Sequence, residues 1–144
     1  MNPGDLLLLY VVLLLGAIGG IAMLYELRRK RFEPTPTSDT MDEPTFLRLA
    51  GDAIARVRRA LDAQDPDVVE CVPDADVVKV AFPQGAPFVL NTQRPVREIW
   101  LAADRQAWHF RFDGSSWRDK RSSDELFGAL HRLVKARAGV DLAL

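Results

Sequence analysis

The sequence predicts an α+β fold, a two-layer sandwich that follows a separate N-terminal transmembrane helix. Three patterns support this prediction: an uncharged apolar run near the N-terminus, two amphipathic helical stretches, and short β-rich segments between them. This order favours an antiparallel sheet of about six strands, covered on one face by an N-terminal and a C-terminal helix. The opposite face of such a sheet would be in contact with solvent.

The apolar run predicts a transmembrane helix over residues 6–25. It carries no charged side chain, and about 20 apolar residues span the hydrocarbon core of a bilayer as a helix. The basic cluster at residues 28–31 follows the run, whereas a signal peptide carries its positive charge before it. Because basic residues stay on the cytoplasmic side, we expect a single pass through the inner membrane, with residues 1–5 outside and the domain in the cytoplasm.

A linker is predicted between the membrane and the domain. Residues 26–40 begin with the basic juxtamembrane cluster and continue with prolines and threonines, which favours an extended, unpacked tether. The domain is therefore predicted over residues 41–144. Within the apolar run, Gly16 and Gly20 permit a dimer of transmembrane helices, although small residues are also common in membrane helices that do not associate.

The first domain helix is predicted from one apolar stripe. Asp42 or Glu43, ahead of Pro44, is suited to cap a helix of roughly five turns. The apolar positions of this helix are Phe46, Ala50, Ala53, Ile54, Val57, Ala60 and Leu61.

Short strands divided by turn residues predict an antiparallel meander after that helix. The expected strands are residues 68–72, 77–82, 88–92, 98–102, 107–112 and 116–119. The final helix is predicted to begin at a Ser-x-x-Glu capping box, Ser122 to Glu125, and to stop at Gly139.

Composition excludes several classes of function. The net charge of −1 gives no basic field for nucleic acid. Cys71 is the single cysteine, so neither an internal disulfide nor a multi-cysteine zinc site can form. The sequence has no phosphate-binding loop and no nucleophile elbow, and His109 and His131 lie far apart, so we expect no enzyme active site.

The segment from Asn91 to Trp100 has the spacing Asn-x-Gln-x-Pro-x-x-x-x-Trp. Its tryptophan is flanked by charged residues, which favours display on a surface, although most strand tryptophans are buried. With Trp108-His109-Phe110, Asp113-Gly114 and Trp117, this segment resembles the sheet of the frataxin family in its bacterial CyaY-type form. The resemblance extends from about Asp42 to the C-terminus. In that family, the residues after the last helix pack between the helices.

The resemblance implies that the sheet surface binds a cysteine desulfurase and the iron-sulfur scaffold protein, and that the protein is not an enzyme. Arg111 stands where family members often have an acidic residue, and with Arg94 and Arg97 it makes the surface basic, which suits an acidic partner. The candidate partner-binding residues are Asn91, Gln93, Arg97, Trp100, His109 and Arg111.

The resemblance also implies weak iron binding by an acidic ridge, where closely set carboxylates hold a hard cation by accumulated charge. The candidate ligands are Asp52, Asp62, Asp65, Asp67 and Glu70. Arg56, Arg58 and Arg59 stand on the same helix and would repel iron. Asp52 with Arg56, and Arg58 with Asp62, are also spaced as ordinary ion pairs of a solvated helix face.

Two functions from different classes therefore stay open. The first is a membrane-anchored frataxin-like protein that binds and modulates the iron-sulfur assembly machinery, with weak iron binding as a secondary property. The second is a membrane-tethered adaptor that keeps the fold and the protein-binding sheet surface but has lost iron handling.

Overall fold

The computed structural model describes residues 36–74 and 77–144, which run through one helix, six strands and a second helix. The predicted transmembrane segment, the basic cluster and the glycine pair lie outside these ranges. Among the residues that are described, no helix is both long enough and apolar enough to cross a membrane.

Helix α1 spans Glu43–Asp62, close to the predicted length. Its N-cap is Asp42, whose carboxylate accepts a hydrogen bond from the Thr45 backbone N–H at 3.0 Å. Pro44 fits in the first turn because the N–H groups there have no partner within the helix. The apolar stripe is buried as predicted, except that Ile54 is only partly covered.

The sheet is an antiparallel meander in which each strand pairs with the next one in sequence, which confirms the predicted topology. A 3-10 turn, Arg94–Val96, joins β3 to β4. The strands are β1 (Glu70–Asp74), β2 (Val77–Ala81), β3 (Phe88–Gln93), β4 (Glu98–Ala103), β5 (Gln106–Phe112) and β6 (Trp117–Asp119).

One side of the sheet forms a single core with both helices, since alternate strand residues point to the same face. Helix α2 spans Leu126–Ala138 and ends at Gly139, whose φ of 72° is a left-handed conformation that glycine adopts without strain. The fully buried strand residues are Val80, Phe88, Leu90, Ile99, Leu101 and Phe110.

Two predicted element boundaries are shifted, and local hydrogen bonds explain both shifts. Strand β1 begins later than expected because the Asp65 carbonyl accepts from the N–H groups of Val68 and Val69, which prolongs the turn. Helix α2 is capped by Glu125, which accepts from the Gly128 N–H at 3.0 Å. The predicted cap, Ser122, instead hydrogen bonds to the Asp119 carboxylate.

The packed domain begins before residue 41, so residues 36–40 are not the unpacked linker that the sequence predicts. Ser38 is buried, its N–H donates to the Phe112 carbonyl at 2.8 Å, and its hydroxyl accepts from the Phe112 N–H at 2.7 Å. These bonds continue the backbone pairing at the end of β5. At the other terminus, Leu142 is buried in the core, as the resemblance implies.

Candidate functional site

The face of the sheet that is turned away from the core carries a row of side chains in lateral register. Val77, Asn91, Trp100 and His109 stand directly opposite one another on β2, β3, β4 and β5. Residues opposite each other on neighbouring strands share a face and lie close enough to contact. We call these four residues the Trp100 row.

Trp100 is half-buried within this row, and its ring lies on the face away from the helices. Its indole is parallel to the imidazole of His109, with ring centroids 4.2 Å apart and an interplanar angle of 4°. Such aromatic pairs contribute about 0.5–1.5 kcal/mol beyond their area. The ring is therefore partly accessible, which agrees with display on the surface, and it also packs on a neighbouring ring.

Glu98 is the buried charge of this face, and four polar groups surround it. Its carboxylate accepts from the Trp100 indole N–H at 2.8 Å and from the Lys120 ammonium at 2.5 Å. Arg111 Nε lies 3.7 Å and His109 Nδ1 4.0 Å from the same carboxylate. Burial opposes ionisation, but the hydrogen bonds from Lys120 and Trp100 outweigh it and lower the pKa of Glu98.

Arg111 joins the sheet face to the N-terminal segment. It stands opposite Glu98 on the neighbouring strand, one pleat from His109, and its guanidinium is paired with Asp39. Gln93 lies on the other side of Glu98, so Gln93, Glu98 and Arg111 form a second row beside the Trp100 row.

The sequence predicts that Arg97 lies on the sheet face, but its side chain points elsewhere. It takes a left-handed backbone conformation, φ 54°, at the turn before β4. Its guanidinium donates to the carbonyls of Met41, at 3.3 Å, and Arg94, at 2.9 Å. The side chain therefore fastens the N-terminal segment to the rim of the sheet.

Sequence reasoning missed Glu98, Lys120 and Asp39 as members of this site. The alternation of Glu98, Ile99 and Trp100 places the carboxylate and the indole on one face, which was a usable signal. The pairing of Lys120 and Asp39 with this face depends on the loop after β6 and on the packing of residues 36–41, which local patterns do not reveal.

The candidate iron ligands are not brought together. Asp52, Asp62, Asp65, Asp67 and Glu70 are all exposed. In the described ranges, no group of three or more His, Cys, Asp or Glu side chains is arranged to hold a metal ion. Asp65 accepts from the Asp67 N–H at 2.9 Å, so one of these carboxylates stabilises a turn.

Basic side chains on α1 have structural contacts of their own. Arg48 pairs with Asp52 at 3.7 Å, and the Arg56 guanidinium lies over the Phe127 ring, 4.2 Å from its centroid. Arg58 and Asp62 both reach Cys71, whose pKa is raised by burial and by the Asp62 carboxylate. These contacts favour a solvated helix face over a formed iron site.

His131 lies against the C-terminal residues and not on an open helix face. Its Nδ1 is 3.1 Å from the Leu142 carbonyl and its Nε2 is 3.4 Å from the Asp141 carboxylate. The side chain is only about a third exposed, at 38%. It therefore holds the tail that closes the core.

Comparison with known proteins agrees with this fold. The model of the family described as frataxin-like domain matches residues 39–140. The "Iron-sulfur cluster assembly protein CyaY" of Cupriavidus metallidurans is 39% identical over 108 residues, which cover 72% of this chain and 96% of that protein. The protein of the same name from Dechloromonas aromatica is 36% identical over 104 residues, 72% of this chain and 99% of that protein.

A solved structure shows the same architecture. The frataxin of Psychromonas ingrahamii superimposes with a TM-score of 0.65 at 20% sequence identity. The match covers 71% of this chain and 96% of that protein. At this identity the likeness concerns the fold.

Proposed function

Because this chain belongs to the frataxin-like family, we propose that it acts in iron-sulfur cluster assembly by binding and modulating the assembly machinery. The family consists of accessory proteins and not of enzymes. The observation that carries the proposal is the partly exposed Trp100 on the face of the sheet that is turned away from α1 and α2. The closely related CyaY proteins are named for iron-sulfur cluster assembly, which supports the same role.

The proposed partners are a cysteine desulfurase and the iron-sulfur scaffold protein, docked on the Trp100 row. Aromatic side chains that are held rigidly and partly exposed supply much of the binding energy at protein interfaces. Trp100 is held in this way by His109 and Glu98, and Asn91 lies beside it with amide groups for hydrogen bonds.

Titration of the purified desulfurase with variants tests this docking. Trp100→Ala is expected to weaken binding by about tenfold or more, because truncation of a central aromatic anchor costs about 2 kcal/mol. Leu47→Ala is the control, since it removes an exposed apolar side chain from α1, on the other layer of the domain. Equal affinity of the wild type and Trp100→Ala would refute docking through this ring.

Weak iron binding is the secondary part of the proposal. It would depend on the separate, exposed carboxylates of Asp62, Asp65, Asp67 and Glu70, acting by accumulated charge and not as a formed site. Iron titration followed by NMR tests it, and line broadening confined to these residues is the expected result. If no broadening occurs at millimolar iron, the adaptor without iron handling is the better description, and the Arg48–Asp52 and Arg56–Phe127 contacts favour it.

Anchoring to the inner membrane is a proposal that depends on the sequence of residues 6–25. The full chain should stay in the membrane fraction through an alkaline carbonate wash, and deletion of residues 6–25 should release it. Release of the full chain by carbonate would contradict a transmembrane anchor. A dimer through Gly16 and Gly20 would appear as crosslinking in membranes that Gly16→Leu abolishes.

A further inference from the structure

Residues 36–41, which we call the N-terminal strap, are fastened to the rim of the proposed docking face. Ser38 is bonded to the backbone of Phe112, and its hydroxyl donates to the Arg97 carbonyl at 2.9 Å. Met41 is buried, and its carbonyl accepts from Arg97 Nε. The strap is thus fixed on both sides of Asp39.

Asp39 itself contributes little to this attachment. Its side chain is 71% exposed and reaches across to the Arg111 guanidinium, which is 30% exposed. Exposed ion pairs contribute only about 0–1 kcal/mol to stability, so the fold does not depend on this contact. Its effect is to neutralise a cation at the edge of the docking face.

A polar cavity of about 360 Å³ lies where the strap meets the sheet. Its wall brings together the side chains of Arg97, Arg111 and Lys120 with the exposed apolar side chain of Val96, which is 46% accessible. The Glu98 carboxylate in this wall already accepts from Trp100 and Lys120. The recess therefore holds three cations and two carboxylates, of which Glu98 is buried and Asp39 is exposed.

The ion pair with Asp39 does not involve every nitrogen of the Arg111 guanidinium. Asp39 contacts one terminal nitrogen, whereas Nε is buried, makes no hydrogen bond within residues 36–74 and 77–144, and lies 3.7 Å from the Glu98 carboxylate. Arginine binds carboxylates most strongly when two of its nitrogens donate in parallel. A partner carboxylate that engages both terminal nitrogens of Arg111 would bind it more strongly than Asp39, which contacts one of them.

We propose that Asp39 is an intramolecular competitor, which occupies the Arg111 guanidinium until a carboxylate of the docked partner protein displaces it. The partner surface is then acidic where it meets the strap and apolar where it meets Val96. This inference rests on the proposed docking role of the sheet face and adds the chemistry of its rim.

The test uses two probes of the isotopically labelled chain: a hexaglutamate peptide and the purified cysteine desulfurase. Asp39→Asn should tighten binding of both by about two- to fivefold, as expected from removing a competing exposed ion pair. Peptide-induced shifts should fall on Arg97, Arg111 and Lys120. In an Arg111→Gln background, Asp39→Asn should change neither affinity, and Glu43→Gln is the control for the loss of one negative charge.

The outcomes separate this inference from the docking proposal. Unchanged or weaker binding of the peptide by Asp39→Asn overturns competition, and so does an equal gain from Glu43→Gln. If the desulfurase does not bind but the peptide shows the full pattern, docking of that enzyme fails while the acidic-ligand site stands. If the desulfurase binds through Trp100 but Asp39→Asn has no effect on its affinity, docking stands and competition fails.

Discussion

Trp100 donates its indole N–H to the Glu98 carboxylate at 2.8 Å while its ring lies parallel to that of His109, with 4.2 Å between the centroids. The ring is therefore fixed in its plane by a hydrogen bond and on one face by an aromatic neighbour. A side chain that is held before binding loses little conformational entropy when a partner docks. This arrangement makes Trp100 a preorganised contact on an otherwise half-exposed sheet face.

The acceptor role of Glu98 can be separated from its charge. Glu98→Ala leaves the indole N–H of Trp100 without its acceptor and is expected to lower the free energy of unfolding by about 1–3 kcal/mol in urea titrations. Glu98→Gln keeps an oxygen acceptor and should lose less. Equal losses in the two variants would show that the charge, and not the hydrogen bond to Trp100, is what matters.

The N-terminal strap is expected to contribute to stability through Ser38. Ser38→Ala removes the acceptor of the Phe112 N–H and the donor to the Arg97 carbonyl, so the free energy of unfolding should fall by about 1–3 kcal/mol. Thr40→Val alters an exposed hydroxyl whose hydrogen bonds, among the described residues, are all to Thr37, and it should change the free energy of unfolding by less than about 0.5 kcal/mol. A Ser38→Ala variant as stable as the wild type would mean that the strap is not part of the folded unit.

Acid should destabilise the fold in part through Asp119. Burial raises the pKa of this carboxyl. The N–H groups of His109, Ser122 and Arg121 donate to it and have the larger effect, so its pKa lies below the usual 3.8. A lowered folded-state pKa stabilises the protein above the unfolded pKa, and this stabilisation is lost as pH falls through the folded value. Asp119→Asn should therefore cost stability near neutral pH and flatten the decline measured below about pH 4.

If urea unfolding of Asp119→Asn retained the full difference in free energy between neutral and acid pH, other carboxylates would carry the acid sensitivity. Asp113, whose pKa is also lowered by the N–H groups of Ser116 and Ser115, would then be the next residue to substitute.

A side chain at Gly85 is expected to destabilise the fold, for two reasons. Its φ of 88° is strained for other residues, and an added Cβ would lie 2.6 Å from Arg137 Nη1. Arg137 would have to move away from its ion pair with Asp104 and from the Phe88 ring, 5.1 Å from its guanidinium carbon. Gly85→Ala should lower the free energy of unfolding by about 1–2 kcal/mol, whereas Gly51→Ala, at an open helical position, should raise it slightly. Similar effects at both positions would argue against the close approach.

The fold could be predicted because each element carries its own signal. The period of Phe46, Ala50, Ala53 and Val57 predicts α1, and turn residues divide the strands, so element order and the solvent-facing side of the sheet followed from sequence. The start of α2 could not, because Ser122 is taken up by the buried Asp119 carboxylate. That contact is tertiary, and the local capping pattern does not contain it.

The site was predictable where strand alternation determines it and not where distant segments meet. Asn91, Trp100 and His109 were expected on the open face, and the strand register places them side by side. Arg97 was expected on that face too, but its left-handed conformation turns its guanidinium toward the Met41 carbonyl. The contacts of Asp39 and Lys120 depend on loop paths, for which the sequence offers no periodic signal.

The central claim is that the face of the sheet turned away from α1 and α2 meets the assembly machinery through Trp100. Titration of the labelled chain with unlabelled cysteine desulfurase, followed by NMR, tests it most directly. We expect the indole N–H signal of Trp100 and the backbone signals of Asn91 and His109 to broaden first, with those of α1 and α2 unchanged. Broadening confined to the helices, with the Trp100 indole signal unaffected at saturation, would contradict the account.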